Sequence, residues 1–119
     1  MIGRLSSVVI DCPDPQALAG FYSELLGLPV TRDDGDWVVI GHHETGRLAF
    51  QQAPDHQPPR WPDPNYPQQF HVDVMVDDID EAEAKVLALG ATPLPGDGEE
   101  DGFRVYADPA GHPFCLCWK

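Results

Sequence analysis

With 119 residues, 42% of them apolar and 9% aromatic, the chain is long enough to bury a core without disulfides, which excludes a disordered chain. Its 20 Asp plus Glu against 7 Lys plus Arg give −13 with neutral histidines, a field that argues against nucleic acid and anionic membranes as partners. No apolar run approaches a membrane span and the start, Met1-Ile-Gly-Arg-Leu, lacks an export-signal layout; with an odd count of 3 cysteines, reduced thiols in a cytoplasmic protein are expected.

In chain order, Leu5 to Cys12 is β-branched and predicts a strand. Asp14 can cap a helix that takes Pro15 in its first turn, where a missing N–H does no harm. Leu18, Phe21, Tyr22 and Leu25 recur at helical spacing, and Gly27 supplies the stop. Short extended stretches follow at Leu28–Arg32, Trp37–Gly41 and Arg47–Gln52, the last two joined by the turn-like H-H-E-T-G. The run A-P-D-H-Q-P-P-R-W-P-D-P-N-Y-P, with six prolines in fifteen residues, excludes helix and central strand and reads as a linker.

The pattern then returns. Phe70 to Val76 predicts a strand, Asp78 or Asp80 a cap with Glu81 in the first turn, and Ala82, Val86 and Leu89 an apolar helical stripe ended by Gly90. Thr92–Leu94, Phe103–Ala107 and Phe114–Trp118 complete three more strands. Gly27 and Gly90 lie 63 residues apart, as do Asp14 and Asp77. The chain therefore reads as one α+β domain, 1–119, built from two tandem βαβββ modules, 1–52 and 70–119, with a Pro-rich linker at 53–69. Two such half-sheets, forming a curved mixed sheet, would enclose a shared cleft suited to a small-molecule ligand.

The words V-V-I-D-C-P-D-P…F-Y-S-E-L-L-G-L-P-V, R-L-A-F-Q-Q, Q-F-H-V-D-V-M-V-D-D and V-Y-A-D-P-A-G-H-P-F-C-L span nearly the whole chain. Their order and content resemble the vicinal oxygen chelate superfamily, which includes glyoxalase I, extradiol dioxygenases, fosfomycin-resistance enzymes and bleomycin-binding proteins. The chain looks most like small bacterial glyoxalase-like domain proteins. The resemblance implies a cleft whose inner strands hold a divalent metal (Zn, Ni, Mn or Fe) in the enzymatic members, and it makes a homodimer a further expectation.

Carried over residue by residue, the resemblance places His71 at the metal ligand that opens the second half. The repeat offset pairs His71 with Val8, and a one-residue slip selects Ser7, with Ser6 beside it. Gln51, with Gln52 as alternative, falls where many relatives carry Glu or Gln, and Cys115 stands where metal-binding relatives show Glu. His71 and Gln51 are thus the metal candidates. His71 and Asp73, in phase on one strand, are the candidates for catalysis. Ser7, Trp37, Gln51, Trp61, His71, Phe103 and Cys115 are the expected cleft residues, with Trp118 a further candidate wall. His56, Arg60, Trp61 and Tyr66 could reach the cleft mouth.

Two other features read as structural. Cys115 and Cys117 share a strand face, too far apart for easy bridging. His112 belongs to the turn after D-P-A-G, and His42-His43 to a solvated one. Two functions follow: a metal-dependent lyase, dioxygenase or related enzyme with His71 or Asp73 as base, or a metal-free protein that sequesters an antibiotic-type compound.

Overall fold

In the first half of the chain, Asp14 keeps an extended backbone and its Oδ1 accepts from the Ala17 N–H (3.1 Å), starting α1, Pro15–Leu26. Gly27 ends it in the left-handed region at φ +67, where its N–H reaches the Ser23 carbonyl. Four strands, β1 (Val8–Cys12), β2 (Val30–Asp33), β3 (Trp37–Ile40) and β4 (Leu48–Gln52), form a sheet ordered β1-β4-β3-β2. β1 runs parallel to β4, and the other pairs are antiparallel. Side-chain alternation buries Ile10, Cys12, Val38, Ile40 and Phe50 against α1 and leaves Asp11, Trp37 and Gln51 on the other face.

The computed structural model describes residues 1–96 and 98–119, and the chain divides into two compact units, Met1–His56 and Gln57–Lys119. The Pro-rich stretch, expected to link the modules, belongs from residue 57 onward to the second unit. There the strands are β5 (Val72–Met75), β6 (Thr92–Pro93), β7 (Phe103–Ala107) and β8 (Pro113–Cys117), in the order β5-β8-β7-β6. β5 is parallel to β8, so the second unit repeats the topology of the first. The two tandem modules expected from the sequence are present, each a four-stranded mixed sheet with one helix.

Several element ends differ from the sequence reading, each for a local reason. β1 starts at Val8 because its partner β4 starts at Leu48, and Leu5 is left exposed. β5 starts at Val72, not Phe70: His71 falls level with Pro113, which has no N–H to give a ladder. Asp78 is the cap of α2 (Ile79–Ala88), its Oδ1 accepting from the Glu81 N–H at 3.1 Å. Leu89, not Gly90, is the C-cap, and it is exposed, so Val86 is the helix's one fully buried residue. The caps Asp14 and Asp78 lie 64 residues apart, as do Ser7 and His71, which is the one-residue slip.

Phe114, Leu116 and Tyr106 fill the core of the second unit, with Tyr106 stacked on Phe114 at 5.6 Å between ring centres. The Tyr106 hydroxyl is buried and makes no hydrogen bond of normal geometry among the described residues. Burial, reinforced by the nearby Glu83 charge, pushes its pKa from 10.0 up to about 12. Above pH 10 the unfolded chain loses this proton while the folded one retains it, so Tyr106 withdraws stability as pH rises from 10 to 12. Tyr106→Phe is expected to be near neutral at pH 7 and to lose less stability than the wild type over that alkaline window, read from thermal melts at stepped pH.

Candidate functional site

The face of the second sheet that does not carry Leu116 and Phe114 presents the residues of interest. Register sets Asp73 of β5 level with Cys115 of β8, and Cys115 level with Val105 of β7. His71, one residue ahead of β5, shares the parity of Asp73, and its Nε2 lies 3.2 Å from Asp73 Oδ1. One donor atom from each of His71, Asp73 and Cys115 lies within 4.8 Å of the other two. His71 and Asp73 are exposed, whereas Cys115 is only 8% accessible.

Beside this trio opens a cavity of about 190 Å³ lined by Trp61, Gln68, His71, Phe103, Val105, Pro113 and Cys115. Trp61 comes from the Pro-rich stretch yet is fixed: its Nε1–H donates to the Pro95 carbonyl at 2.7 Å. The loop carrying it closes on itself, the Arg60 N–H reaching the Tyr66 carbonyl and the Arg60 guanidinium lying 4.2 Å from the Tyr66 ring centre. At the far side Pro58 packs against Gly111, where an added Cβ would come within 2.6 Å of the Pro58 Cβ. Gly111 is therefore required both for its φ of +94 and for the close approach.

The electrostatics of the trio are set by Cys115. Burial first, then the Asp73 charge and the neighbouring Cys117, push its pKa from 9.0 up to about 12. The same two leading causes raise Cys117. At neutral pH both thiols are protonated, so neither is a ready nucleophile. All 3 cysteines are free, as the strand spacing requires.

The remaining sequence candidates fall elsewhere. Trp37 and Gln51 are cross-strand partners in the first unit, with Asp11 in the same row. Ser7 is half-buried ahead of β1, and Ser6 is held by Arg47, whose Nε donates to its carbonyl at 2.9 Å. Trp118 is half-buried, its ring 5.8 Å from the Arg104 guanidinium, and does not line the cavity. His42 and His43 are exposed, His43 pairing with Glu44 at 3.0 Å. His56 closes a turn onto Ala53 at the end of the first unit, with its backbone N–H. Gln68, Val105 and Pro113 also line the cavity; no sequence motif points to Gln68 or Pro113, whereas strand parity with Cys115 points to Val105.

Two βαβββ units, each with a parallel outer pair and one sheet face free of its helix, define a glyoxalase-type fold. The chain belongs to the glyoxalase-like domain family, whose model matches residues 7–117, and with it to the vicinal oxygen chelate superfamily. No curated protein matches the chain. Among solved structures it is similar to one described as a possible glyoxalase from Bacillus cereus (TM-score 0.71, 16% identity, 98% of this chain and 99% of that one). It is also similar to a bleomycin-binding protein from Streptomyces verticillus complexed with copper(II)-bleomycin (TM-score 0.60, 19% identity, 100% and 99%). A third is a fosfomycin resistance protein FosX variant from Listeria monocytogenes, complexed with Mn(II) and a dihydroxypropylphosphonic acid (TM-score 0.72, 16% identity, 98% and 90%). At these identities the likeness establishes the fold.

The donor chemistry decides which ion the trio suits. A hard ion such as Mn²⁺ prefers carboxylate, carbonyl and water oxygens. Here one of three donors is a sulfur, and it is the buried one at the floor. The set does not fit a hard-ion chelate. No helix among the described residues is long and apolar enough to cross a membrane.

Proposed function

We propose that this protein binds a small organic molecule on the open face of the second unit's sheet. The observation that carries this is the cavity itself: Trp61, Phe103, Val105 and Pro113 form apolar walls that converge on the polar groups of His71, Gln68 and Cys115, with Asp73 against His71. Apolar walls with a few convergent polar groups are what small-molecule sites need, the walls supplying affinity and the polar groups orientation. Asp73 and the net charge of −13 favour a ligand that joins an apolar body to a cationic or donor group. Capture, as in a sequestering protein, is the reading favoured over lyase or dioxygenase turnover, because the cavity walls are mostly apolar and the donors beside it do not fit a hard-ion chelate.

The test is a thermal-shift panel of aromatic amines, aromatic carboxylates and neutral aromatics, followed by titration of the best ligand with Trp fluorescence as readout. Trp61→Ala is expected to weaken binding about tenfold to a hundredfold, since an anchor wall is worth roughly 1.5–3 kcal/mol. A ligand that binds Trp61→Ala as well as the wild type would remove the cavity from consideration. One observation favours a second reading as an enzyme: Asp73 at 3.2 Å from His71 Nε2 is a carboxylate that could orient an imidazole as general base. Turnover of a bound ligand, abolished in His71→Ala with binding retained, would establish it.

A further inference from the structure

At the β6 edge of the second sheet lies another cavity, of about 200 Å³. β6 is two residues long and pairs with Tyr106 and Ala107, and the chain that follows it walls a space beside the rest of β7. That wall is fixed at two points. The Leu94 N–H donates to the Val105 carbonyl at 3.0 Å, and the Trp61 indole N–H holds the Pro95 carbonyl. Gly96 has no side chain to fill the space, and an added Cβ there would meet Val105 Cγ2 at 3.2 Å. Pro93, Leu94, Phe103 and Val105 supply an apolar lining.

The polar end of this cavity comes from α2, β7 and the loop before β7. Arg104 stands level with Leu116 and Tyr106 with Phe114, so both leave β7 on the face that holds the core. The Arg104 guanidinium pairs with Glu83 of α2 at 2.5 Å, with Asp80 at 3.3 Å and with Glu99. Three carboxylates around one guanidinium leave an excess of two negative charges. Beside them the Tyr106 side chain is 1% accessible, and its buried hydroxyl has no hydrogen-bond partner. The groups acting on that hydroxyl, Glu83 and Arg104, both line the cavity, so the hydroxyl end of the ring is the end turned to it. An anion would meet the excess negative charge, and an apolar molecule would leave the hydroxyl unpaired. Among the described residues these carboxylates do not gather closely enough with others to hold a metal ion.

We propose that this cavity is a second binding site, for a small primary ammonium compound with an apolar body. The body lies against Leu94, Phe103 and Val105, and the ammonium lies between Glu83 and Glu99. Glu83 turns from Arg104 to the ligand, which uncovers the Tyr106 hydroxyl as an acceptor for a further ammonium N–H, while Arg104 keeps Asp80. The ammonium is charge-matched to the two excess carboxylates and offers donors alone, which is what these acceptors lack. The site is distinct from the Trp61 cavity, although Phe103 and Val105 line both, and it needs a readout that reports on each cavity separately.

The experiment titrates the isotope-labelled full chain at neutral pH with benzylamine, and with benzyl alcohol as the neutral counterpart, following backbone amide shifts by NMR. The amides of Leu94, Gly96, Glu99 and Arg104 should shift saturably with benzylamine, with an affinity at least about tenfold above that for benzyl alcohol. Glu83→Gln should weaken the affinity read at those amides about tenfold, and Tyr106→Phe about threefold to tenfold. His71→Ala, on the wall of the Trp61 cavity, should leave it unchanged. Circular dichroism melts of each variant separate a loss of binding from a loss of fold, and Tyr106→Phe, which keeps the ring, decides the matter if Glu83→Gln unfolds. Amides that do not move, equal affinity for benzyl alcohol, or an affinity unchanged in folded Tyr106→Phe overturns the site. Shifts confined to Gln68, His71 and Cys115 would put the amine in the Trp61 cavity, overturning the second site while sustaining the organic-molecule reading of the first.

Discussion

Phe50→Ala is expected to destabilise the first unit by about 3–5 kcal/mol, the range for removing a fully buried aromatic ring. Phe50 has no accessible surface and stands mid-strand in β4, level with Ile10 of β1 and Val38 of β3, both buried. Its ring stacks on Tyr22 at 5.6 Å, and Tyr22 meets Phe21 edge-on at 5.1 Å. One side chain thus joins three strands to both aromatics of α1. Truncation removes the ring's transfer free energy and leaves a cavity whose walls are held by strand pairing and cannot collapse. Urea unfolding should show a midpoint shift at unchanged slope. Phe50→Leu, which keeps most of the volume, should cost about 1–2 kcal/mol. A loss below about 1 kcal/mol in Phe50→Ala would mean that this cluster does not hold the helix on the sheet.

The features legible in the sequence are those that act locally. Asp14, Pro15 and Gly27 announce α1 because capping and left-handed backbone are decided within one turn, and Asp78 does the same for the start of α2. The repetition of that local grammar is what exposes the two βαβββ units. Strand ends were less legible because they are set by a partner. Leu5–Ser7 look like strand and are not, since β4 begins only at Leu48; Phe70 and His71 look like strand, and His71 falls level with Pro113. The site follows the same division. Parity along one strand unites His71 with Asp73, but only the parallel register of β5 and β8 brings Cys115 level with Asp73, and no local signal encodes a register. Likewise the aromatics of the Pro-rich stretch signal packing, whereas the bond from Trp61 to the Pro95 carbonyl joins residues 34 apart and is invisible to composition.

Asp108→Ala is expected to cost about 2–4 kcal/mol and to reach the site by way of the backbone. The word D-P-A-G-H-P, with its histidine ahead of two cysteines, resembles a metal clamp when read as a string; in the fold it is a turn. Asp108 is 3% accessible and its Oδ1 accepts from the Ala110 N–H at 2.9 Å and from the His112 N–H at 3.0 Å. The Asp108 N–H in turn reaches the His112 carbonyl, and the Gly111 N–H the Asp108 carbonyl, both at 2.9 Å. Alanine leaves two donors without their acceptor, one of them buried, and each such loss costs roughly 1–3 kcal/mol. β8 begins at Pro113, directly after this turn, and Cys115 follows two residues on. A loosened turn therefore shifts Cys115 relative to His71 on the wall of the same cavity, and affinity for a ligand of that cavity should fall although no lining side chain has been removed. Asp108→Asn keeps an acceptor in place and should retain more than half of the lost stability and most of the ligand affinity. Urea unfolding of both variants, and titration with the best ligand of the thermal-shift panel, give the comparison. If Asn and Ala are equally damaging, the carboxylate acts through its charge and the turn is not what sets β8.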